Sequence, residues 1–294
     1  APIGNGPFQM VGTFQPNVGL TVQRWGAYKG QKPHVDQIQF KVYSDVHTAY
    51  NDVLAGNLDV TFVGNDELGK AQKDFPGRFR AYNAPAIDNL DFPLYDARFK
   101  DVRIREAISM AIDRQAISKA LFGGVLTPAT DWVPASVPGA RSGKCGVYCT
   151  YNPAKAKALL AAAGGWTGTM NIWYPGGNGY DPLFQAIGND LRQNLGITVA
   201  YQAPPGFGPF FQDLADKKVD GPSRGHWGAL YPSMENTLFS LYTPAGGVGY
   251  EETYYSNAKT TALIAKGNAA PSLAHAIHDY QLTDRHLIPE PVSP

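Results

Sequence analysis

Between residues 35 and 63 the spacing of apolar residues changes twice, and that change restricts the fold most. Val35-Asp-Gln-Ile-Gln-Phe-Lys-Val-Tyr43 alternates with the period of a strand. Residues 45–55 then carry helical spacing through Ala49, Val53 and Leu54, with Gly56 placed to stop the helix, and Leu58-Asp-Val-Thr-Phe-Val63 returns to a short strand. Strand, helix and strand in this order predict a parallel crossover unit, and with it an α/β fold. The same alternation recurs later. A helix over 153–163 precedes a strand at Thr169–Tyr174, a turn at 175–179, a helix over 182–194, a strand over 197–202, a helix over 208–217 and a strand-and-loop stretch over 219–231. Phe8–Val11 and Leu20–Trp25 read as strands, and short helices near 258–266 and 271–281 close the readable part.

The strongest helical signal lies at 101–122. Asp101 is a capping residue, and Val102, Ala107, Ile108, Ala111 and Ile112 share one face. Asp113 offers a second cap before Ala116, Ile117, Ala120 and Leu121, and Gly123-Gly124 ends the run. Residues 125–150 are rich in Pro, Gly and Ser and read as a long surface loop. That loop holds both cysteines, Cys145 and Cys149. Four positions apart, they are suited to a small disulfide; two free thiols and a metal pair are the alternatives, the last disfavoured because no second Cys/His pair has zinc spacing. A disulfide implies an oxidising, extracytoplasmic compartment.

The 294 residues contain 25 Lys plus Arg against 25 Asp plus Glu, so no net field draws nucleic acid or an anionic membrane surface. No apolar run approaches the roughly 20 residues of a membrane span. The chain opens Ala1-Pro2-Ile3, which reads as a processed or truncated end, so an export signal or lipid anchor is expected outside this sequence.

Signatures of catalysis are scarce. There is no Gly-x-Ser-x-Gly elbow, no Gly-x-x-x-x-Gly-Lys-Ser/Thr loop and no His-Glu-x-x-His. Pro175-Gly-Gly-Asn-Gly-Tyr-Asp181 stands between a strand and a helix but lacks the Gly-x-Gly-x-x-Gly spacing, and reads as a turn. His275 and His278, with Asp279, Asp284 and His286 nearby, read as an exposed polar helix face rather than a metal site. The expectation is a binding protein that is not an enzyme, with no cofactor and no metal.

One segment has the composition of a binding site. Arg224-Gly-His-Trp227-Gly-Ala-Leu-Tyr231-Pro-Ser-Met-Glu-Asn236 places a guanidinium, an indole and further polar groups at a strand-to-loop exit, where open α/β sheets hold ligands. Arg can clamp a carboxylate with two hydrogen bonds. The expected ligand residues are Arg224 as an anion clamp, Trp227 and Tyr231 as aromatic walls, and Asn236 as a hydrogen-bond partner. Tyr174, Gly176 and Gly177 are expected as further lining at a strand end. A core Trp beside an incidental Arg is the alternative.

Several segments together resemble family 5 of the solute-binding proteins of ABC importers, the oligopeptide, dipeptide and nickel receptors. They are Gly4-Asn-Gly-Pro-Phe8, Leu54-Ala-Gly-Asn-Leu-Asp59-Val, and above all Phe99-Lys-Asp-Val-Arg103-Ile-Arg105-Glu-Ala-Ile-Ser-Met-Ala-Ile-Asp113-Arg114-Gln-Ala-Ile117. Tyr151 to Gly164, Leu195 to Val199 and Leu214 to Asp220 follow in the family's order, and the likeness fades after about residue 257. The resemblance implies a bilobed periplasmic-binding-protein-like fold (type II) that closes over its guest. It also implies a secreted or periplasmic location, attached to the membrane only through a lipid anchor outside the sequence, a monomeric state, and membrane subunits of an importer as partners. In peptide-binding members a Trp-x-x-Asp-Tyr segment offers its Asp to the ligand's amino group; Trp227 and Tyr231 match, but Leu230 stands in the Asp place. A buried ammonium needs a paired anion, so this departure puts recognition of an ordinary peptide amino terminus in doubt. The family's usual segment ahead of the Gly-x-Gly-Pro strand is also absent from this sequence. The first lobe is therefore expected to be incomplete, with residues 1–95 in it, 96–280 in the second lobe and 281–294 returning toward the first. The rival reading keeps the fold but makes the chain a protein-interaction, inhibitor or sensor module without transport.

Overall fold

The computed structural model describes residues 4–82, 84–246, 254–283 and 287. The chain divides into two compact units, Ala1–Gly64 and Asn65–Pro294.

In the first unit, β1 (Phe8–Gln15), β2 (Gly19–Arg24) and β3 (Gln37–Lys41) form an antiparallel sheet in that spatial order. Gly19 opens β2 with φ 131°, and a Cβ there would strike the Phe40 carbonyl of β3. α1 (Val46–Ala55) starts at Asp45, whose carboxylate accepts from the Thr48 amide at 3.0 Å, and ends at Gly56 in the left-handed region, as its sequence suggests. The expected strand at 58–63 is not formed, so the parallel crossover predicted for this stretch is corrected to an antiparallel meander followed by a helix. The reason is backbone pairing. A strand exists only beside another strand, and no described segment pairs with Leu58–Val63, where Val60 and Phe62 are 82% and 84% exposed.

The second unit is the α/β body. It contains α2 (Leu68–Asp74), β4 (Ala86–Asp91), α3 (Val102–Ala111), α4 (Arg114–Phe122), α5 (Pro153–Ala162), β5 (Thr169–Trp173), α6 (Asp181–Leu195), β6 (Thr198–Gln202), α7 (Phe207–Ala215), β7 (Ser223–Gly228), α8 (Met234–Tyr242), α9 (Ala258–Asn268) and α10 (Leu273–Gln281). The sheet runs β4-β7-β5-β6, with β5 parallel to both β6 and β7, and β4 antiparallel to β7. Because β4 pairs with β7 along its whole length, residues 86–91 belong to this sheet. The division between the two compact units falls between Gly64 and Asn65.

The 101–122 signal resolves into two helices. Asp101 accepts from the Arg103 amide at 2.9 Å, the extended Ile112 breaks the run, and Asp113 accepts from the Ala116 amide at 2.9 Å to restart it. These helices pack Ile104, Ile108, Met110 and Ile117 with Leu90, Leu160, Ile172 and Leu191 into the larger core cluster. A second cluster gathers Ile87, Trp132, Trp227, Met234, Leu238 and Cys145. Cys145 and Cys149 are joined by a disulfide, with Cα atoms 5.7 Å apart. The closed loop is short, so chain-entropy arguments give it about 2 kcal/mol. The Cys149→Ser variant is expected to lose about that much stability, read as a lower midpoint in denaturant.

Candidate functional site

The register of β7 locates the site. It pairs with β5 at Ser223 and Trp173, the last residue of β5, so Arg224 continues beyond the carboxyl end of that strand. On the other side Arg224 pairs with Leu90, Gly225 with Asn89 and His226 with Asp88. Side chains alternate across a strand, so Arg224, His226, Leu90 and Asp88 share one face of the β4–β7 pair. Against that face lie α4 and the first half of α6, leaving a pocket of about 710 Å³ counting its open mouth. Its wall is mostly apolar, with Leu90, Ile117, Phe122, Leu183, Phe184 and Ile187, and its polar groups include Asp88, Arg114 and Arg224. Such a composition, apolar with a few fixed polar groups, is what small-molecule sites share.

Arg224 is the distinctive member. Its side chain is only 9% exposed. The guanidinium carbon stands 4.8 Å from the centre of the Tyr180 ring and 5.3 Å from that of Phe207, a cation–π cradle. Nη2 is 3.7 Å from Asp88 Oδ1, too long for a hydrogen bond, and the buried Nε has no hydrogen-bond partner among the described residues. His226 Nδ1 lies 2.8 Å from the same Asp88 oxygen. Deeper in the pocket Arg114 bonds the carbonyl of Ser109 at 2.9 Å and its hydroxyl at 2.8 Å, and burial depresses its pKa to about 10.

The other expected residues are placed differently. Trp227 lies three positions from Arg224 and so points to the opposite face, where it is 8% exposed within the second core cluster. Its Nε1 donates to Asn236 Oδ1 at 3.1 Å, and the same oxygen accepts from the Leu230 amide at 2.9 Å, so Asn236 fixes the turn after β7. Tyr231 is half exposed and donates to Glu235, while Leu230 is 83% exposed. Tyr174 is buried behind the pocket. Its ring stacks on Phe184 at 4.7 Å, its hydroxyl donates to Asp181 at 3.0 Å, and burial, then that hydrogen bond, raises its pKa. Gly176 bridges to Pro205, and Gly177 and Gly179 take the positive φ of the expected turn. Of the polar set near α10, Asp279 accepts from Lys266 at 2.7 Å and His275 bonds Ser272 at 2.7 Å; Asp284 and His286 lie outside the described residues. The residues that sequence reading missed, Asp88, Tyr180 and Phe207, come from three separate segments. Only the aromatic character of Tyr180 and Phe207 signalled them.

Gly225 is required for close approach. A Cβ there would strike the Asp91 carboxylate and the Asn89 amide, which bond each other across it. The Gly225→Ala variant is expected to lose about 1–3 kcal/mol in a denaturant titration, and to weaken any ligand held by its neighbour Arg224.

The sequence of residues 1–249 matches the model of the bacterial extracellular solute-binding proteins, family 5, middle region. The chain belongs to that family. Among curated relatives, a dipeptide-binding protein of Escherichia coli is 27% identical over 58% of this chain and 32% of its own length. A probable deoxycholate-binding periplasmic protein of the same organism is 29% identical over 88% of this chain and 49% of its own. The chain thus spans about a third to a half of these family members. Among solved structures, the periplasmic binding protein DppA of Helicobacter pylori, in complex with the peptide STSA, superposes with a TM-score of 0.83 at 17% identity, covering 99% of this chain and 56% of that one. OppA of Haemophilus influenzae, in complex with RPPGFSPFR, gives 0.81 at 17% identity, covering 99% and 58%. The fold is therefore that of the periplasmic peptide-binding proteins. The family relatives are binding proteins rather than enzymes.

Proposed function

We propose that this family 5 chain is the ligand-binding part of a solute receptor that serves an ABC importer outside the cytoplasm, with the importer's membrane subunits as partners. The guest is a peptide or another small molecule carrying an anionic group. The observation that carries this reading is Arg224. A buried guanidinium whose Nε finds no partner among the described residues, held between two rings at an open pocket, leaves a desolvation cost that an incoming carboxylate offsets. Arg224 is the anion clamp, with Tyr180 and Phe207 holding it. Tyr231 is an aromatic surface at the exit of β7, while Trp227, Asn236 and Tyr174 support the strand and pocket from behind. The chain contributes part of a first lobe and a second lobe, and the receptor works as a monomer.

Calorimetric titration of the 294-residue chain against panels of peptides, sugars, siderophores and metal ions tests the reading. Saturable binding confined to carboxylate-bearing guests is expected. Binding in none of the four classes removes the receptor assignment.

A further inference from the structure

The pocket beside Arg224 contains a second charged group that the anion clamp leaves unexplained. Asp88 lines the same pocket on the same face, and its carboxylate is 45% exposed. Its Oδ1 faces His226 at 2.8 Å and Arg224 at 3.7 Å, whereas its Oδ2 makes no hydrogen bond or ion pair within the described residues. A fixed positive group and a fixed negative group thus stand within 4 Å at the mouth of an apolar cavity. A guest bearing only an anion would bring its charge up against Asp88. A guest bearing only a cation would meet Arg224. A zwitterion whose two charged groups are adjacent satisfies both, and its uncharged remainder fits the wall formed by Leu90, Ile117, Phe122, Leu183, Phe184 and Ile187.

We infer that this pocket takes a single apolar α-amino acid unit, with its carboxylate on Arg224, its ammonium on Asp88 and its side chain in the apolar cavity. The inference rests on the receptor reading and narrows it. Leu230, at the exit of β7, is exposed and carries no charge. Asp88, on β4, supplies the anion beside Arg224. An ordinary peptide separates its terminal charges too widely to engage both groups.

The test is calorimetric titration of the chain with leucine, N-acetylleucine, leucinamide, 4-methylpentanoate and Leu-Leu, repeated on Asp88→Asn. Leucine is expected to bind, and blocking either end to weaken it about 30-fold or more. Asp88→Asn is expected to impose a similar loss on leucine while leaving the affinity for 4-methylpentanoate, which has no amine, unchanged or improved. Asp88 is half exposed and the change is isosteric, and the ligand-side changes leave the protein untouched, so misfolding does not confuse the result. Equal affinity for leucine and N-acetylleucine overturns the inference. Binding of Leu-Leu without leucine overturns it while leaving the receptor reading intact. Failure of these ligands together with the four wider panels overturns both.

Discussion

Replacing Arg224 by methionine is expected to abolish carboxylate binding while leaving the fold as stable as before, or more so. The two halves of that result have separate causes. The guanidinium is buried and no hydrogen bond from it is seen among the described residues, where two ring faces and a carboxylate at 3.7 Å compensate its desolvation. Removing such a charge in favour of an apolar side chain of similar length is neutral or stabilising. Binding is different, because truncating one side of a desolvated charge pair costs about 2–5 kcal/mol, or about 30- to 4,000-fold in affinity. Arg224→Lys is expected to recover little, since an ammonium lacks the planar fork that stacks between Tyr180 and Phe207. Calorimetry and thermal unfolding on the same samples read both effects.

The second large effect belongs to Trp227 and runs the other way. Trp227→Ala is expected to cost about 3–5 kcal/mol of stability, because the indole packs in the cluster of Ile87, Trp132, Met234 and Leu238 and its Nε1 is bonded to Asn236. Trp227→Phe retains most of that packing, and Asn236 keeps its bond from the Leu230 amide. Ligand affinity in Trp227→Phe is expected to stay within about twofold of the parent, since Trp227 and Arg224 occupy opposite faces of β7. A denaturant midpoint and a binding isotherm for each variant check this. A large affinity loss in Trp227→Phe at unchanged stability would instead make the indole a ligand wall.

The sequence disclosed what is decided locally. Asp101 and Asp113 cap helices, Gly56 and Gly123 end them, and the order β5, α6, β6 follows from changes of period, because each depends on neighbours within a few residues. What depends on distant partners was hidden. The alternation at Leu58–Val63 has the pattern of a strand but finds no strand beside it. β4 was missed because Ala-Ile-Asp-Asn-Leu-Asp has only two large apolar residues, and its stability comes from pairing with β7, more than a hundred residues away. α8 was passed over because its start, Ser-Met-Glu-Asn, reads as polar loop until Ser233 is seen accepting from the Glu235 amide.

The site was legible in part. Arg224 was singled out, and the structure puts it at a pocket. Its separation from Trp227 was also available, since residues three apart in a strand cannot share a face. The composition of the segment drew the two together where its periodicity set them apart. Asp88 could not be foreseen, because nothing in sequence shows that His226 would lie opposite it across two strands.

A structure of the chain crystallised with its guest addresses the central claim most directly. The guest's carboxylate should lie within hydrogen-bond distance of the Arg224 guanidinium, with its apolar part between α4 and α6. A guest seated elsewhere, with the pocket between β4, β7, α4 and α6 unfilled, would contradict it.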